Sequence, residues 1–86
     1  FVLVVPTAKL EEYYALARVG CTVWMEYGAL DYKECLGDDL DDKGFCRAYP
    51  DLLQLKPDES AIFSFITFKS RAHRDEVNAK VMEDER

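Results

Sequence analysis

SAIFSFITFKSRAHRDEVNAKVM, residues 60–82, is the stretch whose reading decides the fold. Residues 61–68 form a nearly unbroken apolar and aromatic run, the pattern of a central strand covered on both faces. Ser70 follows as an N-cap, and residues 71–83 read as a helix with His73, Val77 and Val81 in line. Arg74, Asn78 and Met82 lie beside that line, and Glu76 with Lys80 forms a favourable pair one turn apart. A buried strand that hands directly to a one-striped helix implies a sheet with helices laid on it.

Upstream, residues 1–5 (FVLVV) are a second apolar run, ended by Pro6, and also read as a covered central strand. The run starts without a methionine or a turn residue, so the first few residues of the natural chain are expected to be missing. Thr7 is the expected N-cap of a helix over residues 8–27. Its stripe is Leu10, Tyr13, Tyr14, Ala17, Cys21, Trp24 and Met25, while Glu11, Glu12, Arg18, Thr22 and Glu26 fall mostly off it. Gly20 lies in mid-helix at a cost of about 1 kcal/mol relative to Ala, and Gly28 suits the left-handed stop position.

Residues 29–36 alternate, with Leu30, Tyr32, Glu34 and Leu36 on one side and Asp31, Lys33 and Cys35 on the other. The loop GDDLDDKG, residues 37–44, precedes a second short extended piece at residues 45–49, so residues 29–49 read as a long hairpin arm. Pro50 ends it, one helical turn is expected over residues 51–55, and residues 56–59 form a further turn. The order is that of an α+β, ferredoxin-like βαββαβ unit without its last strand, a single domain spanning residues 1–86.

Composition narrows the function. Eleven Lys and Arg against 17 Asp and Glu give a formal net charge of −6, which repels phosphate backbones and argues against nucleic acid as a partner. No run approaches the ~20 apolar residues of a membrane span. The cysteines, Cys21, Cys35 and Cys46, are odd in number and contain no CxxC pair, so free thiols in a reducing cytoplasm are the favoured reading. A Cys35–Cys46 bridge across the hairpin is the alternative. One histidine and scattered thiols form no zinc pattern, and no cofactor motif is present.

Two stretches, GALDYKECLGDD at 28–39 and KSRAHRDEVNAKVM at 69–82, carry a resemblance to the YbaA-like family of uncharacterised bacterial proteins. The resemblance extends over residues 6–86 and is looser over 40–55. It implies a ferredoxin-like fold in the dimeric α/β-barrel superfamily, a small cytosolic homodimer and no established activity. It also implies a final strand after the second helix, pairing with the first strand in the order 4-1-3-2. Residues 1–5 should therefore keep one unpaired edge. Cofactor-free oxygenases and isomerases of the same superfamily supply the alternative to a binding or structural module.

Five groups of residues are weighed as candidate sites. Lys69, Arg71, His73 and Arg74 cluster at a helix start, where backbone N–H groups and the dipole favour a small anionic ligand; the plainer reading is a solvated helix start matched by Asp75 and Glu76. His73 could serve as an acid or base, or simply pack on the apolar stripe. Glu34 with Tyr32 places a carboxylate on an apolar strand face, which is costly unless it is paired. It is either a cavity-lining acid or one half of a cross-subunit or rim salt bridge, the second reading being favoured. Trp24 and Tyr27 are candidate ligand contacts, though aromatic residues at helical spacing usually form core. The acidic loop resembles a calcium loop only in part: counted from Asp39, Gly44 fits the sixth position, but Lys43 takes a ligand position and Pro50 the twelfth.

Overall fold

The computed structural model describes residues 1–41 and 44–86. Its elements are strand β1 (Val2–Pro6), a 3-10 turn (Thr7–Lys9), helix α1 (Leu10–Glu26), strand β2 (Asp31–Leu36), helix α2 (Tyr49–Leu52), strand β3 (Glu59–Thr67) and helix α3 (Arg71–Glu83). The three strands form one antiparallel sheet in the order β1-β3-β2. Val2 pairs with Phe63 and Pro6 with Glu59 on one side of β3, and Asp31 pairs with Thr67 and Leu36 with Ile62 on the other. The chain is an α+β protein, and β1 lies at a sheet edge with β3 as its only partner strand among the described residues.

The sheet is covered on one face. Val23, Ala29, Val77 and Val81 make the core, with Trp24, Tyr27, Ile66 and Phe68 packed against it. Ile62 and Val77 are each 1% exposed and lie deepest. The opposite face of the sheet is only partly covered in the single chain: Ala61 is buried, near Leu40 and Tyr49, but Val2 is 44%, Val4 40%, Phe63 42% and Phe65 37% exposed. Within the single chain the expectation of doubly covered strands is met on one face only. Continuous apolarity records that both faces avoid water, but the two helices of one chain can cover only one of them.

Three local expectations also change. Residues 45–49 are not a strand; Tyr49–Leu52 is a short helix with Pro50 in its first turn, where the missing N–H costs nothing. The partner of β2 is β3, whose long apolar run outcompetes any local hairpin. Thr7 does not cap α1: it opens the 3-10 turn, and its hydroxyl meets Ser60 Oγ at 2.8 Å. The N-cap of α1 is Lys9, which has no side-chain cap bond. Cys21, Cys35 and Cys46 are all free thiols.

The end of α1 is built as expected. Gly28 adopts φ 108, its N–H reaches Met25 O, and Ala29 N–H reaches Trp24 O. This doubled closure lets the chain reverse, buries Ala29 and delivers Leu30 N–H to Thr67 O at 2.9 Å, which starts β2 in register. At α3, Ser70 Oγ accepts from His73 N–H at 3.1 Å, the cap expected from the sequence.

Candidate functional site

Glu34 lies on the helix-covered side of β2, beside Tyr32 two residues earlier. Alternation puts both side chains under α1. Tyr13, on the first turn of α1, donates its hydroxyl to Glu34 Oε2 at 2.7 Å, and Tyr32 donates to Oε1 at 2.8 Å. Each carboxylate oxygen thus receives one phenol from a different element. Tyr32 reaches this position beneath Gly20, where a Cβ would stand 3.2 Å from its hydroxyl. The Trp24 ring lies 6.2 Å from the Tyr32 ring on its other flank. Gly20 is therefore the feature of α1 that admits the tyrosine.

The electrostatics follow from partial burial. Loss of water, and then the Glu34 acceptor, push both phenols well above the ordinary tyrosine range. Tyr13 and Tyr32 consequently remain neutral hydrogen-bond donors near neutral pH. No lysine or arginine among the described residues forms an ion pair with Glu34, so a salt bridge here would take its cation from a second copy or from outside the described residues. Among the described residues the neutral hydroxyls occupy its place. A cleft of about 250 Å3 opens beside this group, lined by Tyr14, Ala17, Arg18, Cys21, Tyr32 and Glu34.

His73 sits elsewhere. Its Nδ1 accepts from Lys69 N–H at 3.0 Å, and its ring meets the Phe68 ring edge-on at 5.9 Å. Because Nδ1 accepts, the ring proton is assigned to Nε2, which faces Gly28. Glu34 pairs with Ser64 in the sheet, four residues along the strand from Phe68. The carboxylate and the imidazole do not share a cleft, so the acid–base pair that an oxygenase or isomerase would draw from them is not assembled within this chain.

The remaining candidates serve mainly to join elements. Trp24 Nε1 donates to Asn78 Oδ1 at 3.1 Å and ties α1 to α3. Tyr27 donates to Asp84 Oδ2 at 2.8 Å. Arg86 grips both Asp84 and Glu26, holding residues 84–86 against the end of α1. The Arg86 guanidinium and backbone N–H, with Tyr27 adding to them, hold the Asp84 carboxyl well below the usual carboxylate range. At the start of α3, Arg74 pairs with Asp75 at 2.8 Å, while Lys69 and Arg71 are exposed and form no ion pair with any described residue. Two N–H groups near that helix start are already occupied, by Ser70 Oγ and His73 Nδ1. No group of three or more His, Cys, Asp or Glu among the described residues could hold a metal ion. The acidic loop falls partly outside them, at Asp42 and Lys43.

Tyr13, Gly20 and Arg18 were not singled out as site residues from the sequence. Tyr13 is one aromatic among several on its stripe. The only signal was the pairing of an unfavourable mid-helix Gly20 with a carboxylate on an apolar strand, two anomalies that the fold brings together.

The chain is a small α+β protein in which a carboxylate is held by two neutral phenols beside an open cleft. The family model described as "Protein of unknown function (DUF1428)" matches residues 1–86, and the chain belongs to this family. It is 33% identical over 86 residues to the uncharacterized protein YbaA of Escherichia coli K12, covering 100% of this chain and 73% of that protein. The same values hold for YbaA of Escherichia coli O157:H7 and of Shigella flexneri. The resemblance carried by residues 28–39 and 69–82 is thereby established. No helix among the described residues is long and apolar enough to cross a membrane.

Proposed function

We propose that the protein is a homodimeric, cytoplasmic small-molecule-binding module built on a ferredoxin-like unit, with the sheets of two copies packed face to face as a dimeric α/β barrel. The observation that carries this reading is the partly bare sheet face. Val2, Val4, Phe63 and Phe65 lie together on it, each more than a third exposed. Cross-strand register places Val2 opposite Phe63, and the Phe63 and Phe65 rings lie 5.7 Å apart, so these exposed side chains adjoin. Apolar patches of this kind on small domains mark interaction surfaces. A second copy offers the same apolar patch, and a two-fold contact is self-complementary.

The strand order β1-β3-β2 supports the ferredoxin-like reading, because it is the 1-3-2 part of the order 4-1-3-2. Burial between subunits also answers a size problem, since a chain this short covers only about 60% of its unfolded surface alone.

Sedimentation velocity tests the dimer. The wild-type chain should sediment as a dimer at micromolar concentration and Phe65→Glu as a folded monomer, because a carboxylate in the middle of an apolar interface cannot be desolvated without a partner. A wild-type chain that remains monomeric at high micromolar concentration refutes the reading. So does a Phe65→Glu dimer as tight as wild type.

A further inference from the structure

We propose that the cleft between α1 and β2 is a binding site for a small zwitterion, an ammonium and a carboxylate on a short apolar body, as in an aliphatic α-amino acid. The inference rests on the reading that this module binds a small molecule, and it names the class.

The cleft is lined by two charged side chains of opposite sign, Glu34 and Arg18. Glu34 is half-buried and receives only neutral phenol donors, one per oxygen. A carboxylate oxygen accepts more than one hydrogen bond, so each keeps acceptor capacity. A carboxylate partly removed from water, without a cation, favours a ligand that supplies one. Arg18 lines the same cleft, is exposed, and forms no ion pair with any described residue, Glu34 included. The two charges are therefore available to a ligand that bridges them.

The rest of the lining is Tyr14, Ala17, Cys21 and Tyr32. Tyr14, Ala17, Arg18 and Cys21 recur at spacings of three, one and three, which places them on one face of α1. Ala17 and Cys21 offer methyl and thiol surface, and the Tyr14 and Tyr32 rings flank it. An ammonium seated at Glu34 would also lie against aromatic rings, which attract cations. At about 250 Å3 the cleft falls below the roughly 300–1,000 Å3 of pockets for drug-sized ligands. That favours a ligand with few heavy atoms.

Charge selects among the simpler alternatives. Arg18 disfavours a bare amine at the same cleft, and a net charge of −6 disfavours a bare carboxylic acid approaching the protein. A zwitterion meets neither penalty. Both phenols are held neutral by burial and by Glu34, so the group is arranged for holding a ligand and not for taking its proton.

Isothermal titration calorimetry of the full chain tests the site, with oligomeric state measured by light scattering on the same sample. The probes are L-alanine, L-valine and L-leucine, together with leucinamide, which lacks the carboxylate, and 4-methylpentanoate, which lacks the ammonium. At least one amino acid should bind saturably. Removing either charge of leucine should weaken binding roughly tenfold or more, the scale of a hydrogen bond to a charged group. Arg18→Ala, at an exposed helix position, should keep the fold and erase the preference for leucine over leucinamide. Glu34→Gln should weaken both. Absence of saturable binding by all three amino acids in a dimeric sample overturns this proposal and leaves the dimer standing. A monomer that binds refutes the dimer and supports the site. Leucinamide binding as tightly as leucine, or an Arg18→Ala variant unchanged in its preference, overturns the assignment.

Discussion

Replacing Tyr13 by Phe removes one of the two hydroxyls on Glu34 and leaves the ring in place. The bond is 2.7 Å long and its acceptor is a carboxylate, a class of bond that contributes about 1.5–3 kcal/mol. The group is only half-buried, so water recovers part of this and the expected loss is about 1–2 kcal/mol. Glu34→Gln keeps the shape but presents one acceptor oxygen to two donors, and should cost a similar amount. The double variant loses the shared bond once, so its cost should fall short of the sum by about 1 kcal/mol. At roughly 0.05–0.15 kcal/mol per residue, the whole stability of an 86-residue chain is about 4–13 kcal/mol, so the effect is readable. Urea unfolding at one fixed protein concentration, with m unchanged among variants, is the assay. A coupling below about 0.3 kcal/mol, the usual scatter for independent sites, would refute the reasoning.

The same pair makes a pH prediction whose sign is fixed. Both tyrosines have folded pKa values raised above the ordinary value near 10, so their contribution is fully present below about pH 10. It is lost as pH rises through the raised folded values. Wild type should therefore lose stability above about pH 10 more steeply than Tyr13→Phe. The Tyr13→Phe/Tyr32→Phe variant should lose it least steeply, and equal slopes for that variant and wild type would contradict the account.

Two other substitutions test local structure. Ser70→Ala removes the hydroxyl that accepts from His73 N–H and should cost about 1 kcal/mol in thermal or urea unfolding followed by circular dichroism; no change would show that α3 does not depend on this cap. Gly20→Ala would gain about 1 kcal/mol of helix propensity on an open surface. Here the new methyl meets the Tyr32 hydroxyl at 3.2 Å, so the gain should be cancelled; the full gain would mean that Tyr32 does not lie beneath Gly20.

The local elements were legible because their causes are local. Residues 60–82 carry a β-branched and aromatic run, a capping serine and a helical stripe, and the structure places strand, cap and helix there. Gly28 was legible as a stop because a left-handed residue after a helix is a matter of backbone sterics. The failures share a different cause. Residues 45–49 looked extended by composition, but β3 takes the place of a hairpin partner for β2, and that competition is decided across more than twenty residues. Thr7 looked like a cap until Ser60, brought beside it by strand pairing, took its hydroxyl.

The candidate site divides along the same line. Glu34 stood out in the sequence as a charge on an apolar face, and Tyr32 as its neighbour. Their partner Tyr13 could not be chosen from several aromatic residues on the same stripe, because which ring reaches Glu34 depends on how α1 lies across the sheet. His73 and Glu34 could be imagined together until strand register set them apart.

By itself the sequence determined the three long strands and the two long helices, the apolar stripe of each helix, the family, and the net negative charge. These depend on residue type and on spacing within one element. Only the tertiary structure decided that one sheet face is left partly bare, that Gly20 makes room for Tyr32, and that two phenols take the place of a cation at Glu34. Each of these depends on the relative placement of elements far apart in the chain. Periodicity specifies which side of an element seeks cover, but not what covers it.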